Sequence, residues 1–203
     1  MTIGILNYQG AIQDHIPHLQ ALGCAYIPVI NPEDLEKISG LIIPGGESTV
    51  MGKYLAEYGL AEPVLDAVDR GMGIWGICAG SILLAKRVKR ASNGAPCNDL
   101  DESPAPGSLG LLDMTIERNA YGRQRESRYV TLDIPDLQLN RFSVPFIRAP
   151  KIIETRRDIA ILARRENNPV FVRVKRVMAT TFHPELTGNN RLHRYFISLL
   201  STA

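Results

Sequence analysis

The chain has 203 residues, of which 45% are hydrophobic and 22% charged, with a formal net charge of +2. That length and apolar content supply one full α/β core, and so small a charge gives no electrostatic basis for binding nucleic acid. Three cysteines, Cys24, Cys78 and Cys97, are too few and too scattered for a disulfide framework or a zinc site, which fits a reducing compartment. No apolar stretch approaches the ~20 residues needed to span a bilayer, and Thr2–Asn7 reads as a first strand rather than a leader. The expectation is a cytoplasmic protein with no membrane or nucleic-acid partner, no metal and no cofactor.

After the first strand, Ile12, Ile16 and Leu19 share a helical face that Gly23 would end; Pro17 is expected in that helix's first turn. Tyr26–Ile30 reads as a short strand and Leu35–Ser39 as a connecting turn. The apolar run Leu41–Ile43 breaks at Pro44-Gly45-Gly46. Ser48 or Thr49 then caps a helix whose face carries Val50, Met51, Tyr54, Leu55 and Tyr58, with Gly59 as its stop. Two adjacent glycines can turn backbone N–H groups toward a ligand, as an oxyanion hole requires, although a βα turn without a ligand fits the same residues. Pro63 marks the N1 position of a helix carrying Val64, Leu65 and Val68 and closing at Gly71.

The apolar run Met72–Trp75 leads into Gly76-Ile77-Cys78-Ala79-Gly80 and then into the helical Ser81–Ala85. Strand, Gly-x-Cys-x-Gly and helix together match a nucleophile elbow, a strained turn that lifts a reactive side chain out of the sheet. A helix N-terminus beside the sulfur favours thiolate over thiol. A buried cysteine in a tight turn is the plainer alternative. The β-α-β-α order implies a parallel sheet with helices on both faces. Gly45, Gly46 and Cys78 then fall at carboxyl ends of strands, where open α/β sheets bind ligands.

Lys86, Arg87, Lys89 and Arg90 form a basic cluster expected to sit in solvent at a helix C-terminus. Residues 91–108, rich in Pro, Gly and Asp, read as a long exposed loop within a single domain of residues 1–203. Beyond it, Leu112–Ile116, Val130–Ile134, Val144–Arg148, Ile159–Ala163, Val170–Val174 and Val177–Phe182 read as strands. Leu192, Tyr195, Phe196 and Leu199 have the spacing of a terminal helix. The last strand runs into His183-Pro184-Glu185. An imidazole can take a proton from a thiol and return it to a leaving group, and a carboxylate two residues on can fix its tautomer.

Taken together, these segments resemble class I (triad) glutamine amidotransferases. Within them, the match narrows to the glutaminase subunits of pyridoxal 5'-phosphate synthases. The resemblance rests on Asn7-Tyr8-Gln9-Gly10 with His15, Pro44–Thr49, Gly76–Gly80, Glu117-Arg118-Asn119 with Tyr121–Gln124, Phe146–Pro150 and Phe182–Thr187, in order along nearly the whole chain. It implies a mostly parallel sheet flanked by helices, hydrolysis of L-glutamine to glutamate and ammonia, and delivery of the ammonia to a synthase (lyase) partner in a large hetero-oligomer. Carried over, Cys78 is the nucleophile, His183 the general acid/base and Glu185 its orienting partner. Gly46 and Ala79 supply the oxyanion hole, and Gly46, Glu47, Ser48, Arg118, Ile147 and Arg148 bind glutamine. Which of Arg118 and Arg148 uses its guanidinium is left open. Asp14 and Ile77 depart from the family's Glu and Thr, and the 91–108 loop is longer than the family's.

The Gly45-Gly46 peptide is expected to be misaligned in the isolated chain and set by docking of the partner. Three other readings are a subunit feeding a different synthase (histidine biosynthesis, for example), a flavodoxin-like Cys-elbow peptidase or chaperone, and a non-catalytic binding module. The long segments after Glu117 and Phe146 favour the pyridoxal phosphate branch.

Overall fold

The computed structural model describes residues 1–90, 107–118 and 128–201. Most of the expected 91–108 loop lies outside these residues, as do Cys97, Asn119 and Tyr121–Gln124. A seven-stranded sheet forms the centre, in the order β10-β11-β12-β4-β3-β1-β2. Five of its strands run parallel: β1 (Thr2–Leu6), β2 (Ala25–Val29), β3 (Gly40–Ile43), β4 (Gly73–Ile77) and β12 (Val177–Thr180). Antiparallel β11 (Asn168–Val174) and β10 (Ala160–Arg165) complete one edge. The parallel strands are apolar on both faces because helices cover both. Leu41, Ile43 and Ile74 pack toward α2 (Ser48–Glu57), α3 (Ala61–Asp69) and α4 (Ala79–Leu84). Ile3, Ile5, Ile42 and Trp75 pack toward α1 (Ile12–Ala21) and α5 (Arg191–Ser201).

The remaining strands extend these two layers. β5 (Ala85–Arg90), β6 (Leu112–Arg118) and β9 (Lys151–Thr155) form a three-stranded sheet whose Met114, Ile116 and Ile152 join the α2–α4 core. β7 (Arg128–Ile134) and β8 (Leu139–Phe146) form an antiparallel pair whose Leu132, Phe142 and Val144 join the α1–α5 core. β9 is absent from the sequence reading, since Lys151-Ile152-Ile153-Glu154-Thr155 has only two central apolar residues and no alternation. The basic cluster belongs to β5, not to a helix end. Lys86 and Arg87 both reach Asp113 on the neighbouring strand, at 3.3 and 2.8 Å.

Helix boundaries shift for local reasons. Pro17 sits inside α1 rather than in its first turn, so the helix forgoes the bond that residue 17 would donate to Gln13. Pro63 is the third residue of α3, still in its first turn. Glu47, not Ser48 or Thr49, occupies the N-cap of α2, and no side chain caps that end. Met51 and Leu55 are buried as expected, but Val50 and Tyr58 face outward.

The join between β4 and α4 is tight. An added Cβ on Gly80 would collide with the Ile43 carbonyl of β3, and one on Gly76 would come 2.6 Å from the Gly80 backbone. Backbone cannot yield as a side-chain tip can. Gly80→Ala is therefore expected to cost about 2 kcal/mol or more, lowering Tm by roughly 4–8 °C in a thermal melt.

Candidate active site

Strand register brings three segments from distant parts of the chain side by side. Ile43 pairs with Gly76, and Ile77 pairs with Thr180, so β3, β4 and β12 end in line. Gly45 and Gly46 follow β3, Cys78 follows β4, and His183 lies three residues beyond β12. Cys78 has φ +48° and ψ −101°, a backbone geometry that side chains rarely adopt. Its N–H donates to the Thr180 carbonyl at 2.8 Å, and its own carbonyl accepts from the Ser81 hydroxyl at 2.6 Å. These bonds hold the strained elbow and aim the sulfur at the cavity.

The thiol, imidazole and carboxylate stand in hydrogen-bonded series. His183 Nδ1 lies 2.7 Å from Glu185 Oε1, which leaves Nε2 for the bond to Cys78. Glu185 is buried, at 3% exposure, behind the imidazole. Burial alone would depress the His183 pKa. Hydrogen bonds to Cys78 and Glu185, with their charges, outweigh it and raise the pKa to about 10. The imidazolium form is thus favoured at neutral pH. α4 has only six residues, so few aligned dipoles act on the sulfur. The neighbouring imidazole, rather than a long helix, is the charged group beside the sulfur.

A cavity of about 240 Å³ opens in front of Cys78. Every binding position expected from the sequence lines it: Gly46, Glu47, Ser48, Ala79, Arg118, Ile147 and Arg148, with Cys78 and His183 at its base. The Ile147 carbonyl lies 3.8 Å from Cys78 Sγ. Arg148, at φ +46°, extends its guanidinium to Glu47 Oε1 at 3.2 Å, so these two residues bridge the rim. The volume suits a small polar molecule with one reactive group at the sulfur and charged ends at the rim.

Gly10 and Ala11, in the turn after β1, and Ile82 of α4 also line the cavity without an assigned role in the sequence reading. The Ala11 N–H donates to the Gly45 carbonyl at 3.2 Å, and Gln9 Oε1 accepts the Glu47 N–H at 3.1 Å. The first bond holds the Gly45–Gly46 peptide, whose trans geometry sends the Gly46 N–H away from Ala11, and the second holds the peptide that follows it. The same rule that picked out Gly45, a glycine just past a parallel strand, points to Gly10 as well.

A profile of the SNO glutamine amidotransferase family matches residues 5–202. The chain belongs to that family. The pyridoxal 5'-phosphate synthase subunit PdxT of Thermotoga neapolitana is 43% identical over 200 residues, covering 98% of this chain and all of that protein. The subunit of the same name from Pelotomaculum thermopropionicum is 46% identical, covering 97% and 94%. A crystal structure described as a glutamine amidotransferase superposes with a TM-score of 0.86 at 40% identity, covering 98% of this chain and 99% of that one. The α/β architecture, with its mostly parallel sheet and extra C-terminal strands, is the amidotransferase fold.

Gly10 has φ +114°, and a Cβ there would strike the Gly45 carbonyl oxygen. Gly10→Ala should therefore turn the Gly45–Gly46 peptide without touching the three reactive side chains. The expected outcome is a fall in glutaminase kcat of ~100-fold or more, the scale of losing one oxyanion donor. Cys78 should still be alkylated at its wild-type rate.

Proposed function

We propose that this chain is the glutaminase subunit of a pyridoxal 5'-phosphate synthase. It hydrolyses L-glutamine to L-glutamate and ammonia and passes the ammonia to a synthase partner. The observation that carries the reading is the hydrogen-bonded series Cys78, His183 and Glu185 at the base of a cavity, in a family of glutamine amidotransferases.

The chemistry follows from the residues. Cys78 thiolate attacks the side-chain amide carbon of glutamine. The carbonyl oxygen becomes an oxyanion beside the Gly46 and Ala79 N–H groups. His183 gives its proton to the departing ammonia, and the thioester remains. Water then adds with His183 as base, and collapse of the second tetrahedral species releases glutamate and restores the thiol. Glu185 keeps the Nδ1 proton in place through both halves. Because the product is ammonia rather than ammonium in water, a partner that seals the cavity mouth is part of the design. The exposed rim at Glu47 and Arg148 is the natural side for that contact.

The two arginines divide the work at the glutamine end. The Arg148 guanidinium is engaged by Glu47 and its backbone turns through positive φ, so residues 147 and 148 offer main-chain groups to the substrate. Arg118, at the end of β6 on the cavity wall, takes the α-carboxylate with its planar fork. Arg118→Ala is expected to raise KM for glutamine by roughly 10- to 100-fold with a smaller change in kcat, as loss of a charge-assisted bond implies. Arg148→Ala should raise it less.

Docking also sets the Gly45–Gly46 peptide, whose Gly45 carbonyl accepts from the Ala11 N–H. The cytoplasm is the compartment where such a thiol stays reduced, and among the described residues no helix is long and apolar enough to cross a membrane.

The test is glutamate release by the purified chain with and without a pyridoxal 5'-phosphate synthase subunit. The expected result is low activity alone, a clear rise on mixing and none for Cys78→Ala. High steady hydrolysis by the isolated chain would overturn the docking control. No rise with the partner would overturn the choice of synthase.

A further inference from the structure

The chain has four histidines, and three of them, His15, His18 and His193, are buried together beneath Glu185. The hydrolysis described above uses none of them. His15 and His18 lie one turn apart on α1, and His193 lies in the first turn of α5. The His18 and His193 rings stack at 4.3 Å, and Trp75 stands edge-on to His15 and His193 at 6.2 and 5.0 Å. Leu or Phe would fill this volume without the cost of desolvating imidazole nitrogens, so packing alone does not account for three histidines.

Their hydrogen bonds place the protons. His18 Nε2 lies 3.0 Å from the backbone carbonyl of Glu185, which can only accept, so Nε2 carries the hydrogen. His15 Nδ1 and His193 Nε2 are 2.9 Å apart and share one hydrogen. If both rings are neutral, one of the outer nitrogens, His15 Nε2 or His193 Nδ1, must carry a second. Both outer nitrogens are buried without a hydrogen-bond partner among the described residues, and so is Glu185 Oε2.

We propose that this cluster is a positioning device for the triad: His18, stacked on His193, anchors the Glu185 backbone and with it the carboxylate turned to His183. The proposal rests on the reading of Glu185 as the orienting partner of His183. A carboxylate bonded through one oxygen, with the other buried and free, can rotate away. A backbone pinned by the His18 bond removes the main-chain freedom that would let it do so. Neutrality is part of the device, because a permanent cation there would compete with His183 for the same charge. Burial, reinforced by the neighbouring histidines and opposed by Glu185, lowers the His15 pKa to about 4. Burial holds His193 well below the ordinary range too. The groups facing the cluster are Trp75 from β4, His183 and Glu185 from the turn after β12, and the three histidines themselves.

The experiment measures the pH dependence of Cys78 alkylation by iodoacetamide on the whole chain, located by peptide mass spectrometry. Glutaminase kcat and KM with the synthase subunit added are measured beside it. Glu185→Gln sets the profile of an uncoupled triad, and Phe196→Leu, which packs on Trp75 at 5.8 Å, is the control for lost packing. His15→Leu and His18→Leu are expected to move the alkylation profile toward that of Glu185→Gln. They should also lower kcat by ~10- to 100-fold with KM within about twofold. His18→Gln, whose amide can replace the Nε2 donor, should restore most of both, and His18→Asn, which is too short, should not. That pair reads the bond even where the Leu variants do not fold. Phe196→Leu should lower Tm and leave the profile unmoved. If His15→Leu and His18→Leu lower Tm but keep the wild-type profile, or if His18→Gln and His18→Asn behave alike, the cluster is packing and the proposal falls. If Glu185→Gln itself keeps the wild-type profile, the role given to Glu185 falls, and the positioning role with it.

Discussion

The close approach of α4 to the central sheet is the constraint on which the rest of the site depends. With no side chain at Gly76 or Gly80, the helix backbone comes against the Ile43 carbonyl of β3, and the chain between them must turn through Cys78 at positive φ. That single contact fixes two things at once. It sets the direction of the sulfur, and it ties the end of β4 to the end of β3, where the Gly45–Gly46 peptide begins. A one-residue slip of either strand would send Cys78 or the glycine peptide to the wrong face. The catalytic geometry is therefore a property of strand pairing before it is a property of side chains.

Charge is then distributed around this fixed frame in two layers. Inside, the imidazole of His183 is held between a thiol and a buried carboxylate, and its protonated form survives burial only because both neighbours favour it. Outside, Glu47 and Arg148 pair across the rim while both side chains remain about half exposed, at 48% and 51%. Such an exposed pair adds little to stability, so its value lies in where it stands: between the cavity and whatever docks on it. The inner layer is dry and set for chemistry. The outer layer is wet and adjustable, as suits a site that must admit a polar amino acid and then be closed.

The sequence made much of this legible, because the motifs are local. A strand, a Gly-x-Cys-x-Gly turn and a helix are adjacent in the chain, and so are His183 and Glu185. What failed were judgements that need neighbours. β9 is a strand because Ile152 pairs opposite Ile116, not because Lys151–Thr155 alternates. Lys86 and Arg87 lie on β5 because Asp113 faces them from β6, where the sequence alone suggested a solvated helix end. Val50 and Tyr58 fit the helical stripe of α2 on paper, yet they lie at its margins and remain exposed. Gly10 stood in a motif but without a role, because its contact, the Gly45 carbonyl, follows a different strand.

Composition, the elbow motif, the paired glycines and the His-Pro-Glu segment by themselves pointed to an α/β protein with a candidate thiol nucleophile, a candidate base and a candidate oxyanion loop. Each of those is written in a few contiguous residues whose backbone preferences act locally. Only the tertiary structure decided that the three segments meet, that Arg148 is engaged by Glu47 while Arg118 also lines the cavity, and that His15, His18 and His193 gather beneath Glu185. Those facts depend on the order and register of strands up to about a hundred residues apart. Chain-closure entropy and whole-sheet packing, not local preference, set that order.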